Sequence, residues 1–231
     1  MAALVSIVSK TELFCDIPES ALEREILPLG QLQEFSKGQF LIVPQQRVER
    51  FGIVISGKVQ VLHLFANGNY SLMTSLRTGG IVGADLVCTK TQLAPYHAMA
   101  ATAVQIFYLP VTVITRPGAL QEQMRLRTLD HMLTLIANEN MKKEYRLAIL
   151  SQKGLRERIL TYLTMQAARK QKKTFTVSLS REEMASFLCV NRSALSHELS
   201  LMQQEGLISF RKNVFTLKQG ELELPTPSQE I

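Results

Sequence analysis

A chain of 231 residues, 46% hydrophobic and 20% charged, has the make-up of a globular protein, which excludes wholesale disorder. No apolar run approaches the roughly 20 residues that a bilayer-spanning helix needs. Residues Met1–Lys10 lack the basic n-region and small-residue cleavage site of a secretory signal. Three scattered cysteines, Cys15, Cys88 and Cys189, make no CxxC pair and no even disulfide set, so a reducing cytoplasm is expected. The net charge of +6 is concentrated: residues 1–141 carry 11 basic and 11 acidic side chains, residues 142–218 carry 15 and 6, and residues 219–231 carry three acids and no base. A neutral module joined to a strongly basic one points to a polyanion as partner of the second.

In chain order, the first 30 residues predict short helices at Lys10–Phe14 and Pro18–Leu29, with Pro18 suited to a first helical turn. From Leu32 to Leu109 the apolar period is two. Strand-type runs at Phe40–Val43, Phe51–Ile55, Lys58–Leu62, Tyr70–Thr74 and Val104–Leu109 are separated by Gly- and Asn-containing turns, including 66–69. Short strands with glycine corners and no intervening crossover helix predict an antiparallel sandwich or barrel. From Leu120 the period becomes helical. Leu126, Leu129, Leu133, Ile136, Asn140, Lys143, Leu147 and Leu150 follow the alternating three- and four-residue steps of a coiled-coil seam. A long helix that pairs with a second copy of the chain is expected, with Leu126, Leu129, Leu133, Ile136, Asn140 and Leu147 at the interface. Packing of the same helix on its own domain is the alternative. Residues 1–118, 119–151 and 152–231 are thus read as β-domain, dimerisation helix and C-terminal domain, with a hinge at Ser151–Gly154.

The most specific stretch is Ser180–Ile208. Ser180 with Glu183 three residues on forms a capping box at the start of one helix. Cys189–Asn191 is a turn too short for antiparallel packing, a second helix spans Arg192–Glu205, and Gly206 ends it. A hairpin of Leu207–Phe210 and Val214–Leu217 follows, after a first short strand at Phe175–Leu179. Two helices, a three-residue turn and a hairpin predict a winged helix-turn-helix. Asn191, Arg192, Ser193, Ser196 and His197 would face outward at the start of the second helix, with Arg192 suited to bidentate recognition of guanine. Ser180, Arg181, Lys172, Lys173, Arg211 and Lys212 suit phosphate contacts.

On these residues, and most strongly on Val190–Leu199 with Glu205–Ile208, the chain resembles the CRP/FNR family of bacterial transcription regulators from about Phe14 to Leu217. Ile53–Val61 resembles the family's β-roll hairpin, Gly79–Asp85 its phosphate cassette, and Ala94–Thr102 the strand after it. The resemblance implies an α+β chain: an N-terminal double-stranded β-helix (a jelly roll of the cyclic-nucleotide-binding type) that senses an effector, a long dimerisation helix, and a C-terminal winged helix-turn-helix. It further implies a homodimer on a palindromic site in double-stranded promoter DNA, in contact with RNA polymerase. Gly83, Ala84, Asp85, Tyr96, His97, Asn140, Lys143 and Glu144 fall at effector-pocket positions.

Departures from the family pattern are equally specific. Ala84 stands where cyclic-nucleotide binders carry Glu, and Leu93–His97 holds no Arg for the cyclic phosphate, so cAMP is not the expected ligand. A small polar metabolite, anionic if Lys143 contributes charge, is expected instead; a Lys143–Glu144 bridge across the dimer is an equal alternative. Three scattered thiols do not make an iron–sulfur site, and His63 and His97, which could ligate haem iron, read more simply as hydrogen-bonded residues of the β-domain, so no metal and no cofactor is expected. Ser193 and His197 replace residues that are often Glu and Arg in relatives, which predicts an altered operator. No HExxH, GxSxG, P-loop or GxGxxG is present, and Cys88 with His97 has no orienting third group, so the chain does not read as an enzyme. A sensor whose winged helix serves protein contacts remains the second reading.

Overall fold

The computed structural model describes residues 2–66, 68 and 70–218. The acidic tail lies outside the described residues, as do two positions of the turn expected at 66–69. The chain divides into two compact units at Lys142/Lys143.

The first unit opens with α1 (Ala2–Val8). Its β-branched residues disfavour helix intrinsically, but burial of Val5 and Val8 against the β-domain overrides that preference. The helix expected at Lys10–Phe14 is instead a series of turns. Buried Thr11 donates its hydroxyl to the Val8 carbonyl at 2.7 Å and so ends α1. The next expected helix forms in pieces: α2 (Glu19–Ala21), then a π turn over Leu22–Ile26 and a 3₁₀ turn over Leu27–Leu29.

Eight strands follow: β1 (Gln31–Phe35), β2 (Phe40–Ile42), β3 (Arg50–Ser56), β4 (Val59–Leu64), β5 (Tyr70–Leu76), β6 (Ile81–Val82), β7 (His97–Ala100) and β8 (Val104–Pro110). One-turn helices α3 (Ala84–Val87) and α4 (Thr112–Thr115) lie after β6 and β8. The strands make two four-stranded antiparallel sheets, β1-β8-β3-β6 and β2-β7-β4-β5. This is the expected jelly-roll architecture. Between β3 and β4, Gly57 sits at φ +85°, and a Cβ there would lie 2.2 Å from the Ala103 carbonyl oxygen, so the corner requires glycine. β1 was not apparent from the sequence because four of its five residues are exposed and the apolar alternation is absent.

α5 (Glu122–Leu150) is a single helix of 29 residues with two different apolar stripes. Met124, Thr128, Met132 and Leu135 are buried in the first unit's core. Leu126, Leu133 and Leu147, spaced by seven and then fourteen residues, are 53%, 69% and 60% exposed. Leu129 and Ile136 lie between the stripes, partly buried against the same core.

The second unit begins within α5, and Ile149 belongs to its core. Residues 151–154, where the sequence suggests a hinge, make a turn inside the second unit, which starts earlier at Lys143. Then come α6 (Leu155–Lys170), β9 (Thr174–Thr176), α7 (Arg181–Phe187), α8 (Arg192–Gln204), β10 (Ile208–Arg211) and β11 (Val214–Leu217). The last two strands form the wing, with β9 added in the order β10-β11-β9. β9 is shorter than the expected Phe175–Leu179, because the Val177 amide donates to the Asn213 carbonyl at the wing tip and the chain then turns into α7. Ile159, Leu163, Leu195, Leu199, Met202, Ile208 and Phe215 fill the core beneath the helices.

Candidate nucleic-acid interface and effector region

α7 starts as the sequence dictates. Ser180 Oγ accepts the Glu183 amide at 3.2 Å, and the Glu183 carboxylate accepts the Ser180 amide at 2.9 Å. Its C-terminal carbonyls meet cations: Arg146 Nη2 donates to Phe187 O and Arg158 Nη1 to Leu188 O, each at 3.5 Å. Arg146 also lies over the Phe187 ring at 5.2 Å; burial pulls its pKa down, while neighbouring Cys189 acts in the opposite sense. Cys189 takes the left-handed conformation in the turn (φ 58°), which sends the chain directly into α8. Asn191 then caps α8, its Oδ1 accepting the Ala194 amide at 2.7 Å and the Ser193 hydroxyl at 2.8 Å.

Capping and the buried Leu195, Leu199 and Met202 set the rotation of α8. The opposite face exposes Asn191, Arg192, Ser193, Ser196, His197 and Ser200. Every expected base-reading residue is thus on one solvent-facing stripe, and Ser200 extends it by a turn. Its i, i+4 spacing from Ser196, whose carbonyl accepts the Ser200 hydroxyl at 2.9 Å, was the signal for it in the sequence. A bracing interaction was missed. Arg156 of α6 holds Glu205 with two bonds of 2.6 and 2.9 Å and Glu198 with one of 2.6 Å, tying the middle and the C-terminal end of α8 to α6.

The expected phosphate contacts separate into two groups. Lys172, Lys173, Arg211 and Lys212 are exposed around the wing and the α6–β9 connection. Arg181 is half-buried. Its guanidinium lies over Phe210 and Phe215 at 5.0 and 5.3 Å and donates to Lys212 O at 3.1 Å, fastening α7 to the wing. Burial, and next the positive charge of Arg192, lower its pKa.

In the first unit, Gly83 at φ +79° turns the chain from β6 into α3, placing Ala84 and Asp85 in its first turn. The Tyr96 hydroxyl donates to Asp85 Oδ1 at 2.8 Å. Burial first, then Asp85, then Glu139 of α5, push the Tyr96 pKa well above the usual phenol range. Two carboxylates therefore face Tyr96, and Glu139 was not among the expected pocket residues. His97 packs on Phe40 with ring centroids 5.3 Å apart, and its Nδ1 is buried with no partner among the described residues. Asn140 is exposed in the first unit, whereas Lys143 and Glu144 belong to the second. His97 pairs across the sheet with Leu62, so His63, the next residue of β4, points to the opposite face and cannot share an iron with it. Burial and then Asp85 raise the Cys88 pKa, the reverse of an activated nucleophile.

A β-roll followed by a winged helix-turn-helix is the architecture of an effector-responsive DNA-binding regulator. The chain matches the family model of the Crp-like helix-turn-helix domain over residues 157–223 and that of the cyclic nucleotide-binding domain over residues 32–116. With both domains matched, it belongs to the CRP/FNR family of transcription regulators. The Global nitrogen regulator of Synechococcus elongatus is 23% identical over 197 residues, covering 83% of this chain and 86% of that protein. Among solved structures, the c-di-GMP-responsive global regulator CLP of Xanthomonas campestris superposes with a TM-score of 0.65 at 14% identity, over 88% of this chain and 100% of that one. A variant of CooA from Carboxydothermus hydrogenoformans gives 0.60 at 20% identity, over 86% and 89%. At these identities the two structures establish the fold. No helix among the described residues is long and apolar enough to cross a membrane.

Proposed function

We propose that the chain acts in the cytoplasm as a homodimer on palindromic promoter DNA, inserting α8 into the major groove, and that it controls transcription through contact with RNA polymerase. The observation that carries this reading is the two-sided character of α8: Arg192, Ser193, Ser196, His197 and Ser200 exposed along one face, Leu195, Leu199 and Met202 fully buried on the other. Direct readout needs such a face, and the exposed cations around the wing supply the phosphate contacts that position it. The exposed leucines of α5 support the pairing of two copies, which sets two recognition helices against two half-sites.

The effector is a small polar molecule other than cAMP. Support comes from Ala84, from the absence of arginine in residues 93–97, and from the carboxylates of Asp85 and Glu139 beside Tyr96, which oppose a phosphate there. The Asp85, Tyr96 and His97 group of the first unit supplies polar contacts. Fluorescence anisotropy on the region upstream of the protein's own coding sequence tests the central claim: saturable binding that survives excess random DNA is expected. Binding no tighter than to random DNA would overturn it and favour protein contacts as the role of the winged helix. Calorimetry with cAMP should give no saturable heat.

A further inference from the structure

The turn after α1 and the middle of α5, more than a hundred residues apart in sequence, bring together three side chains that neither DNA binding nor the effector region uses. Cys15 Sγ, a carboxylate oxygen of Asp16 and a ring nitrogen of His131 all lie within 4.8 Å of one another. The histidine is already oriented. Its Nδ1 donates to the Leu13 carbonyl oxygen at 3.1 Å, and Nε2 lies 3.3 Å from Asp16 Oδ2, so an ion entering between them takes the place of any proton that Nε2 shares with the carboxylate. A backbone acceptor on one ring nitrogen with an open lone pair on the other is how metal-ligating histidines are held. Tetrahedral Zn²⁺ with bonds of about 2.0–2.3 Å needs donor atoms about 3.3–3.7 Å apart. The His131–Asp16 pair already meets that distance. Cys15 and Asp16 are exposed, so a side-chain rotation of Cys15 brings the thiolate in without moving the backbone.

The geometry points to a divalent transition-metal site, of the Zn²⁺ class, formed by Cys15, Asp16 and His131. A thiolate, a carboxylate and a neutral imidazole neutralise a 2+ ion, and the mixed S, O, N set favours a borderline metal over Mg²⁺ or Ca²⁺. Binding releases the Cys15 thiol proton, and the fourth position is left to water. His131 shares its helix face with Met124, one heptad earlier, away from the exposed stripe of Leu126 and Leu133, so pairing through α5 leaves the site open. A bound ion fastens the amino-terminal segment to α5, the helix proposed to pair with a second copy of the chain.

The full-length chain, stripped with chelator and reduced, is titrated with Co²⁺ and then Zn²⁺. One Co²⁺ per chain is expected, with a thiolate-to-metal charge-transfer band and the intense visible bands of a tetrahedral ion, displaced by Zn²⁺. Cys15→Ser should abolish the charge-transfer band. Asp16→Asn and His131→Gln should weaken binding by more than about 10-fold, the lower end of what loss of even an outer-shell partner costs. Cys88→Ser and Cys189→Ser should bind as the parent does. Because His131→Gln also loses the bond to Leu13, the two exposed-residue variants decide the matter independently of folding. Absence of a stoichiometric Co²⁺ spectrum, or a spectrum retained in Cys15→Ser, overturns the site.

Discussion

Leu133 and Leu135 lie two positions apart on α5, and their opposite environments give a direct test of the proposed dimer. Leu133 is 69% exposed in the single chain, and Leu135 is 6% exposed. Fully burying a leucine side chain contributes roughly 1.5–3 kcal/mol. Covering the exposed two-thirds of Leu133 in a symmetric pair is therefore worth about 1–2 kcal/mol per chain and about 2–4 kcal/mol per dimer. Leu133→Ala forfeits most of that, weakening dimerisation by about 30- to 1,000-fold. Within the monomer it removes nothing from the core, so its effect there stays within about 0.5 kcal/mol. Leu135→Ala does the reverse, costing about 2–5 kcal/mol of folding stability through a core cavity. Sedimentation equilibrium across a concentration series reports the first quantity, and urea unfolding at a concentration below the dimer constant reports the second. An unchanged dimer constant in Leu133→Ala, or a large loss of monomer stability in it, would refute the assignment of this face to a second copy of the chain.

Four further outcomes are expected. Arg192→Ala should cost about 1–3 kcal/mol on the specific site and relax preference at a single base pair, measured by anisotropy over a set of substituted operators; equal losses on specific and random DNA would remove it from base readout. Lys172→Ala together with Lys173→Ala should weaken every sequence alike and reduce the salt slope of binding by about 1 for each phosphate no longer neutralised. Ser180→Ala breaks the capping box and should lower the stability of the second unit by about 1 kcal/mol, seen in thermal unfolding. Burial pushes Tyr108 and Tyr162 up to about 12, from about 10 in the unfolded chain; their contribution is intact below pH 10 and is withdrawn as the pH rises toward 12, by about 2–3 kcal/mol each, so alkaline unfolding should coincide with the absorbance change of these two tyrosines.

What could be read from the sequence tracks how local each determinant is. The capping box of α7, the stop at Gly206 and the wing turn are all set within a few residues, and each forms where the pattern places it. β2, β3, β4, β5 and β8 were likewise visible through their short apolar runs between turn residues. Edge strand β1 was not, since exposure on both faces erases the alternation, and α1 was not, since its helix depends on burial of Val5 and Val8 against a sheet far along the chain. On α5 the heptad positions were legible, but the division of its leucines between core and solvent was not, because that depends on which face the β-domain covers. At the effector region the cassette positions could be placed by resemblance. The Asp85–Tyr96 bond and the reach of Glu139 could not, because they join segments brought together only by the sheet.

The same distinction corrects the weight given to charge. Residues 142–218 carry an excess of nine positive charges, yet four of the arginines there serve the fold. Arg146 and Arg158 face the carbonyls that end α7, Arg156 is held by Glu198 and Glu205, and Arg181 is stacked beneath the wing. Counterion release counts only cations that reach phosphates, so the slope of log affinity against log salt should be shallower than the net charge implies. Of the cations that remain, those proposed to meet DNA are Lys172, Lys173, Arg211 and Lys212 around the edge, with Arg192 on the reading face. The structural arginines still serve recognition at one remove. By fixing the end of α7 and the rotation of α8, they determine which side chains of α8 face the groove, and specificity depends on that rotation as much as on Arg192 itself.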